Sequence, residues 1–350
     1  MKIALIVTAL KQAGPVKVME ALVQYLSEYP DTRVEVYHLD NFTDSVINLA
    51  VPVKYMDKKV FPFEDFDIIH TNGIRPDFFA FINRKKIKYH LSTIHNFVFT
   101  DLRYSYNRMV SLIFGFIWIV LWTRADRLVC VSETMKNYYS KWLNPDKLMT
   151  IHNGITVNPD QKKNDADIVK VIENFRARGL KVIGSASFLT GIKGIDLVLR
   201  MIAREMEYAF VIIGDGKERS SLEKLANKLL VTDRCFFSGF RKNAKDYFHL
   251  FDVFVIPSRS EGFGLTLIEA AQQRVPVVCS EIKVFRELMN GEEVTFFKSG
   301  DRNSLSEALR EAAVTGNKKV EKAYKKYHDN YTGWLMSKRY HDLYLSALIQ

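Results

Sequence analysis

Cysteine is scarce in this chain: Cys130, Cys235 and Cys279 are the only three in 350 residues. Each lies in or beside an apolar, strand-like run, which reads as buried free thiols in a reducing compartment. No ligand spacing suits zinc, and no helix-turn-helix or RNA-binding signature is present, so no nucleic-acid partner is expected. Long apolar runs are also missing. The opening segment, residues 1–8, is too short for the core of a signal peptide and reads as a first buried strand, which argues against export. The longest apolar stretch, residues 109–122, falls short of the roughly 20 residues needed to cross a bilayer.

What is present fits a soluble globular protein, with 47% hydrophobic and 26% charged residues. The length exceeds the roughly 250–300 residues at which one core stops growing, so two domains are expected. A net charge of +10 and a pI near 9.3 favour anionic partners, nucleotide diphosphates or acidic lipid surfaces. Residues 109–122 read first as a buried helix. As the second reading, Trp118, Trp122, the flanking Arg108 and Arg124, and the upstream group Arg84-Lys85-Lys86-Ile87-Lys88 suit peripheral contact with an anionic membrane.

The first strand, the loop Lys11-Gln12-Ala13-Gly14-Pro15 and a helix over 16–28 make a Rossmann-type opening. Further strands are expected near 34–39, 66–70, 89–94 and 127–131. The polar run 158–165 has linker composition. Beyond it, strands near 181–186, 210–213, 252–256 and 275–279 and a strand with its loop over 235–241 precede a last helix over 334–349. This alternation predicts parallel α/β sheets, which bind ligands at the carboxyl ends of their strands. His70 and His95 fall at such ends.

The rest of the chain is organised around Pro257-Ser258-Arg259-Ser260-Glu261-Gly262-Phe263-Gly264-Leu265-Thr266-Leu267-Ile268-Glu269-Ala270-Ala271. A buried strand ends at Pro257 and a helix begins near Leu265, so the loop feeds a helix N-terminus whose free N–H groups and dipole hold anions. Gly262 and Gly264 allow close approach of the backbone to a phosphate. If the span from Glu261 to Glu269 were helical, about 12 Å would separate them, beyond the roughly 5–9.5 Å of a hydrolase acid/base pair. The two carboxylates are better placed to grip the hydroxyls at two ends of one long ligand. A nucleotide-sugar has that form.

With its preceding strand and following helix, the Glu-x₇-Glu stretch resembles the signature of retaining glycosyltransferases of family 4, which have the GT-B fold of two Rossmann-like domains facing a central cleft. The resemblance covers nearly the full length. It implies that Glu261 holds the transferred sugar, Glu269 the ribose, and His95, in its Thr-Ile-His setting, the sugar or acceptor. It implies that Gly14, Lys193 of the Lys-Gly pair 193–194, and the backbone around Gly262, Phe263, Gly264 and Leu265 face the donor diphosphate, and that Arg241 lies against the base. The family usually carries an arginine where this chain has Ser187, so a fork of donors is lost there; Arg259 and Arg241 are candidate substitutes.

These features predict an N-terminal acceptor domain over 1–157, completed by a crossing helix at 333–350, and a donor domain over 158–332. No Asp-x-Asp pair sits at a strand end, so the resemblance implies a metal-independent enzyme, with no cofactor beyond the nucleotide-diphosphate sugar. The acceptor implied is a glycan or polyprenyl-diphosphate-linked glycan, at the inner face of the cell membrane, in surface polysaccharide assembly. Two alternatives stay open. One is a GT-B nucleotide-sugar epimerase using His70, His95 and Asp101. The other is a non-catalytic partner of an active transferase.

Overall fold

The computed structural model of the chain describes residues 1–10, 14–40, 49–156 and 165–349. Lys11, Gln12 and Ala13 of the first expected loop, and all of the expected linker except Asp165, lie outside the described residues. The chain divides into two compact units, Met1–Val157 with Asn330–Gln350, and Asn158–Asp329.

The first unit runs β1 (Lys2–Val7), α1 (Gly14–Leu26), β2 (Arg33–His38), β3 (Val53–Tyr55), β4 (Ile68–Asn72), α2 (Ile74–Ile82), β5 (Tyr89–Ile94), α3 (Val98–Ser105), α4 (Arg108–Thr123), β6 (Arg127–Cys130), α5 (Glu133–Tyr139) and β7 (Leu148–Thr150). The strands form one parallel sheet in the order β3-β2-β1-β4-β5-β6-β7. Near-continuous apolar runs such as Ile3 to Val7 are buried, as a sheet covered on both faces requires.

The second unit runs α6 (Ala166–Ala177), β8 (Lys181–Ala186), α7 (Ile195–Ile202), β9 (Tyr208–Ile213), α8 (Arg219–Lys228), β10 (Cys235–Gly239), β11 (Val253–Ile256), α9 (Leu265–Gln272), β12 (Val277–Ser280), α10 (Lys283–Leu288), β13 (Thr295–Phe297) and α11 (Arg302–Asn330). Its parallel sheet has the order β10-β9-β8-β11-β12-β13. Both sheets therefore reverse direction beside their first strand, at β1/β4 and at β8/β11. Such switch points open a crevice at the carboxyl ends of the strands.

The last helix, α12 (Gly333–Ile349), belongs to the first unit and packs on α1. Gly333 permits this contact, since a Cβ there would stand 2.7 Å from the Tyr25 ring, and Ser337 Oγ donates to Leu22 O at 3.0 Å. Farther along, Tyr344 Oη meets His70 Nδ1 at 2.7 Å, while Thr93 Oγ1 meets both His70 Nε2 (2.7 Å) and Tyr340 Oη (2.9 Å). This corrects the placement of His70. Parallel pairing continues through Thr71 and Asn72, so His70 lies inside β4, buried and bound to the returning helix, rather than at a strand end.

Helix α4 departs from the expected buried helix. It buries Ser111, Gly115, Ile119, Leu121 and Trp122 and leaves its other apolar face exposed. Among the described residues no helix is long and apolar enough to cross a membrane. The three cysteines are free, Cys130 and Cys279 fully buried.

Candidate functional site

The loops that follow β8 and β11 are knitted together at the switch point of the second sheet. After β8 the chain turns through a short 3-10 helix, Gly191–Lys193, and then Gly194 starts α7. After β11 it runs from Pro257 to Gly264, which starts α9. Arg259 N–H donates to Ile192 O at 2.7 Å. The Arg259 guanidinium donates to both Asp196 oxygens at 2.9 Å and to Gly191 O. The loops that lead into the N-termini of α7 and α9, where helices carry free amides, are thus tied to each other.

Two glycines make this possible. Gly194 has φ +68°, and a Cβ there would stand 2.1 Å from Pro257 O. Gly264 has φ +94°, and a Cβ there would meet the Phe285 ring at 2.5 Å. Gly194→Ala combines a left-handed backbone with a backbone clash. It is expected to destabilise the second unit by about 1–3 kcal/mol, checked by denaturation followed by circular dichroism.

Lys193 and Glu261, 68 positions apart, meet here: Lys193 Nζ donates to Glu261 Oε1 at 2.7 Å. The same oxygen accepts from Ser258 Oγ at 2.7 Å, and the buried Ser280 hydroxyl donates to Ser258 O. Glu261 is therefore aimed by a buried serine pair, while both charged side chains stay partly open to solvent. Glu269 lies in the first turns of α9 and is 9% exposed. Phe263 is buried, so any ligand contact there is through its backbone, whereas Gly262 and Leu265 are half-buried.

Both candidates to replace the missing arginine are ion-paired in this structure. Arg259 is occupied by Asp196, and Arg241 pairs with Asp165 and Asp167 at the start of α6. Ser187 has a buried hydroxyl oxygen with no partner among the described residues. Its loop is instead held by backbone. Ser187 N–H donates to Ile213 O, and Leu189 N–H to Asp215 O, within a turn where Gly214 approaches Ser187 O too closely for any side chain.

In the first unit, His95 follows β5 and Asn72 ends β4. His95 Nε2 meets Asn72 Oδ1 at 2.8 Å, so Nε2 carries the proton and Nδ1 is left as an acceptor. Desolvation by the surrounding protein pushes its pKa down to about 4, so the imidazole is neutral at pH 7. It is suited to accept a hydroxyl proton in a hydrogen bond, not to supply positive charge. Gly14 opens α1 after β1, on the other side of the switch. Sequence reasoning missed Asn72 and Ser258; the second was within reach, three residues before Glu261. Among the described residues no group of three or more histidine, cysteine or acidic side chains is arranged to hold a metal.

A family model described as Glycosyl transferases group 1 matches residues 170–330, and one described as Glycosyltransferase Family 4 matches residues 19–158. The chain is 33% identical over 353 residues to the O-antigen biosynthesis glycosyltransferase WclY of Escherichia coli, covering 98% of each protein. It is 29% identical over 157 residues to the lipopolysaccharide core biosynthesis glycosyltransferase LpsE of Rhizobium meliloti (strain 1021), spanning 45% of this chain and 46% of that one. Anabaena HepE, solved in complex with UDP and glucose, matches with a TM-score of 0.78 at 17% identity, over 98% of this chain and 99% of that one. Two Rossmann-like units with the terminal helix returned to the first are the GT-B fold, and the protein is a glycosyltransferase. It belongs to glycosyltransferase family 4.

Proposed function

We propose that the protein is a retaining transferase. In this reading it moves a sugar from a nucleotide-diphosphate sugar, without a divalent metal, to a polyprenyl-diphosphate-linked glycan in bacterial O-antigen or lipopolysaccharide assembly. The observation that carries the donor half is the Lys193–Glu261 pair set between two helix N-termini at the sheet's switch point. Lys193, the amides of α7 and α9, and the backbone at Gly14 meet the diphosphate and the charge that grows on it as it leaves. Glu261 exchanges its lysine for hydroxyls of the transferred sugar. Glu269 accepts from the ribose, and neutral His95 of the first unit orients a hydroxyl of the sugar or acceptor. Arg241, once released from Asp165 and Asp167, covers the base in this reading.

The reaction proposed is front-face substitution. The acceptor oxygen bonds to the anomeric carbon as the bond from that carbon to phosphate breaks, and the acceptor proton passes to the leaving phosphate. The acceptor class is supported by the full-length similarity to WclY, an O-antigen biosynthesis glycosyltransferase, and in this reading the work is done at an anionic membrane face. UDP is the first nucleotide to test, because the structurally similar HepE was solved with it. Thermal melting with EDTA present is the measurement. The matching nucleotide diphosphate at about 100 Kd is expected to add about 2.7 kcal/mol of stability. A panel of nucleotides without a shift under EDTA, but with one when magnesium is added, would refute the metal-free reading.

A further inference from the structure

The two faces of helix α4 are two interleaved stripes. Ser111, Gly115, Trp118, Ile119 and Trp122 turn inward, and Met109, Leu112, Ile113, Phe116, Ile117 and Val120 turn outward at i, i+3, i+4, i+7, i+8 and i+11. With Phe114, the outward side chains are 44–72% exposed. No charged residue interrupts the sequence between Arg108 and Arg124. A helix apolar all round, with one side left bare, needs something apolar to cover that side.

The orientation is locked from within. Asp77 of α2 is buried, accepts from Thr71 and Ser92 hydroxyls on one oxygen, and accepts on the other from Trp118 Nε1 at 3.0 Å and Trp122 Nε1 at 2.9 Å. Ser111 Oγ donates to Phe99 O at 2.5 Å, and a Cβ on Gly115 would stand 2.4 Å from the Phe99 ring. The helix cannot roll to hide its outer stripe without leaving a buried carboxylate and two indoles unpaired.

Charge identifies the occupant. Arg84 Nε donates to Arg124 O at 2.9 Å, which sets the basic turn Arg84–Lys86 at the carboxyl end of α4. Lys85, Lys86, Arg103, Arg108 and Arg124 are exposed, and residues 84–124 hold seven lysines and arginines against one acid, Asp101. A second copy of this chain would bring the same positive charge against itself. An anionic lipid surface matches both the apolar stripe and the basic rim. At about 24 Å α4 is too short to span a membrane, so it lies along the interface, its side chains reaching roughly 5–10 Å inward.

We infer that the outward face of α4, fixed by the two indoles on Asp77, is the surface by which this transferase docks on an anionic phospholipid bilayer. The inference rests on the proposed lipid-linked acceptor only for why docking is useful, and its test does not depend on that acceptor. The full chain is floated with phosphatidylcholine vesicles, with and without equimolar phosphatidylglycerol, at low salt. It is expected to float with the anionic vesicles alone. The double variant Ile113→Asp with Phe116→Asp is expected to lose flotation by roughly tenfold or more while keeping the wild-type melting temperature and nucleotide shift. Lys85→Glu with Lys86→Glu is expected to lower the salt at which vesicles release the protein. Wild-type protein that stays at the bottom with anionic vesicles would overturn the inference. So would a soluble dimer that the Ile113 and Phe116 changes dissociate. Flotation without any nucleotide shift would leave docking standing and remove the donor reading.

Discussion

Lys193→Ala is expected to weaken nucleotide-diphosphate binding by about 10- to 100-fold and to cut turnover by about 10²–10³. The binding loss is that of one charge-assisted contact to phosphate. The larger loss in turnover follows if the ammonium meets charge that is greatest as the diphosphate departs. Lys193 is bonded to Glu261 at 2.7 Å, so in the proposed reaction the lysine exchanges a carboxylate for a phosphate and Glu261 is released toward sugar hydroxyls. The two residues then act as a unit, and their effects do not add. Glu261→Gln removes the charge that holds the lysine while its amide keeps an oxygen for Ser258. The double variant is expected to be little worse in kcat/KM than Lys193→Ala alone. Steady-state kinetics with the donor defined by thermal melting decide this. Fully additive losses would mean that the two side chains serve the donor independently.

How far this site was legible from the sequence depends on distance along the chain. The strand ending at Pro257, the loop and the helix starting at Leu265 are consecutive, and a glycine before an apolar-periodic run marks the junction. There the expected and observed starts of α9 agree, at Leu265. The Lys193–Glu261 bond crosses 68 positions, and only the topology β8-β11 brings its ends together. The missing arginine at Ser187 was visible, but not that Arg259 and Arg241 are both tied to aspartates, because ion pairing at such separations has no local signal. The 29-residue helix α11 went unread because its surface is polar and its buried positions are spaced by small residues such as Ala308, Ala312 and Gly316. For α4 the composition predicted burial, and the exposed stripe is decided by Asp77, a residue 32 positions before the first helical turn's Met109.

The first unit is expected to lose stability steeply in mild acid, and its own tryptophans will report it. His70, His90 and His95 are all held neutral by burial: His90 has its pKa pushed down to about 3, His95 to about 4, and His70 well below the ordinary value. His90 Nδ1 is buried with no partner among the described residues, so a proton there would have no acceptor. In the unfolded chain each ring binds its proton near pH 6.5, while in the folded chain His95 does so only near pH 4, His90 near pH 3 and His70 well below its ordinary value. Between these values the unfolded state holds more protons, so stability falls as pH falls, by about 1.4 kcal/mol per pH unit per histidine, or roughly 4 kcal/mol per unit for three. Asp77 opposes this in part. Burial raises its pKa, so its ionisation costs stability at neutral pH and that cost fades as acid protonates it. Asp67 and Glu35, whose pKa values are lowered, add to the loss only below about pH 4.5. All four tryptophans, Trp118, Trp122, Trp142 and Trp334, lie in the first unit, so their fluorescence follows that unit alone. Urea midpoints are expected to drop sharply between about pH 7 and pH 5, and His90→Gln is expected to remove about a third of the slope. A midpoint that stays flat over this range would mean that the histidines are solvated in the folded protein, and that the bonds joining α12 to His70 and Thr93 are not what closes the first unit.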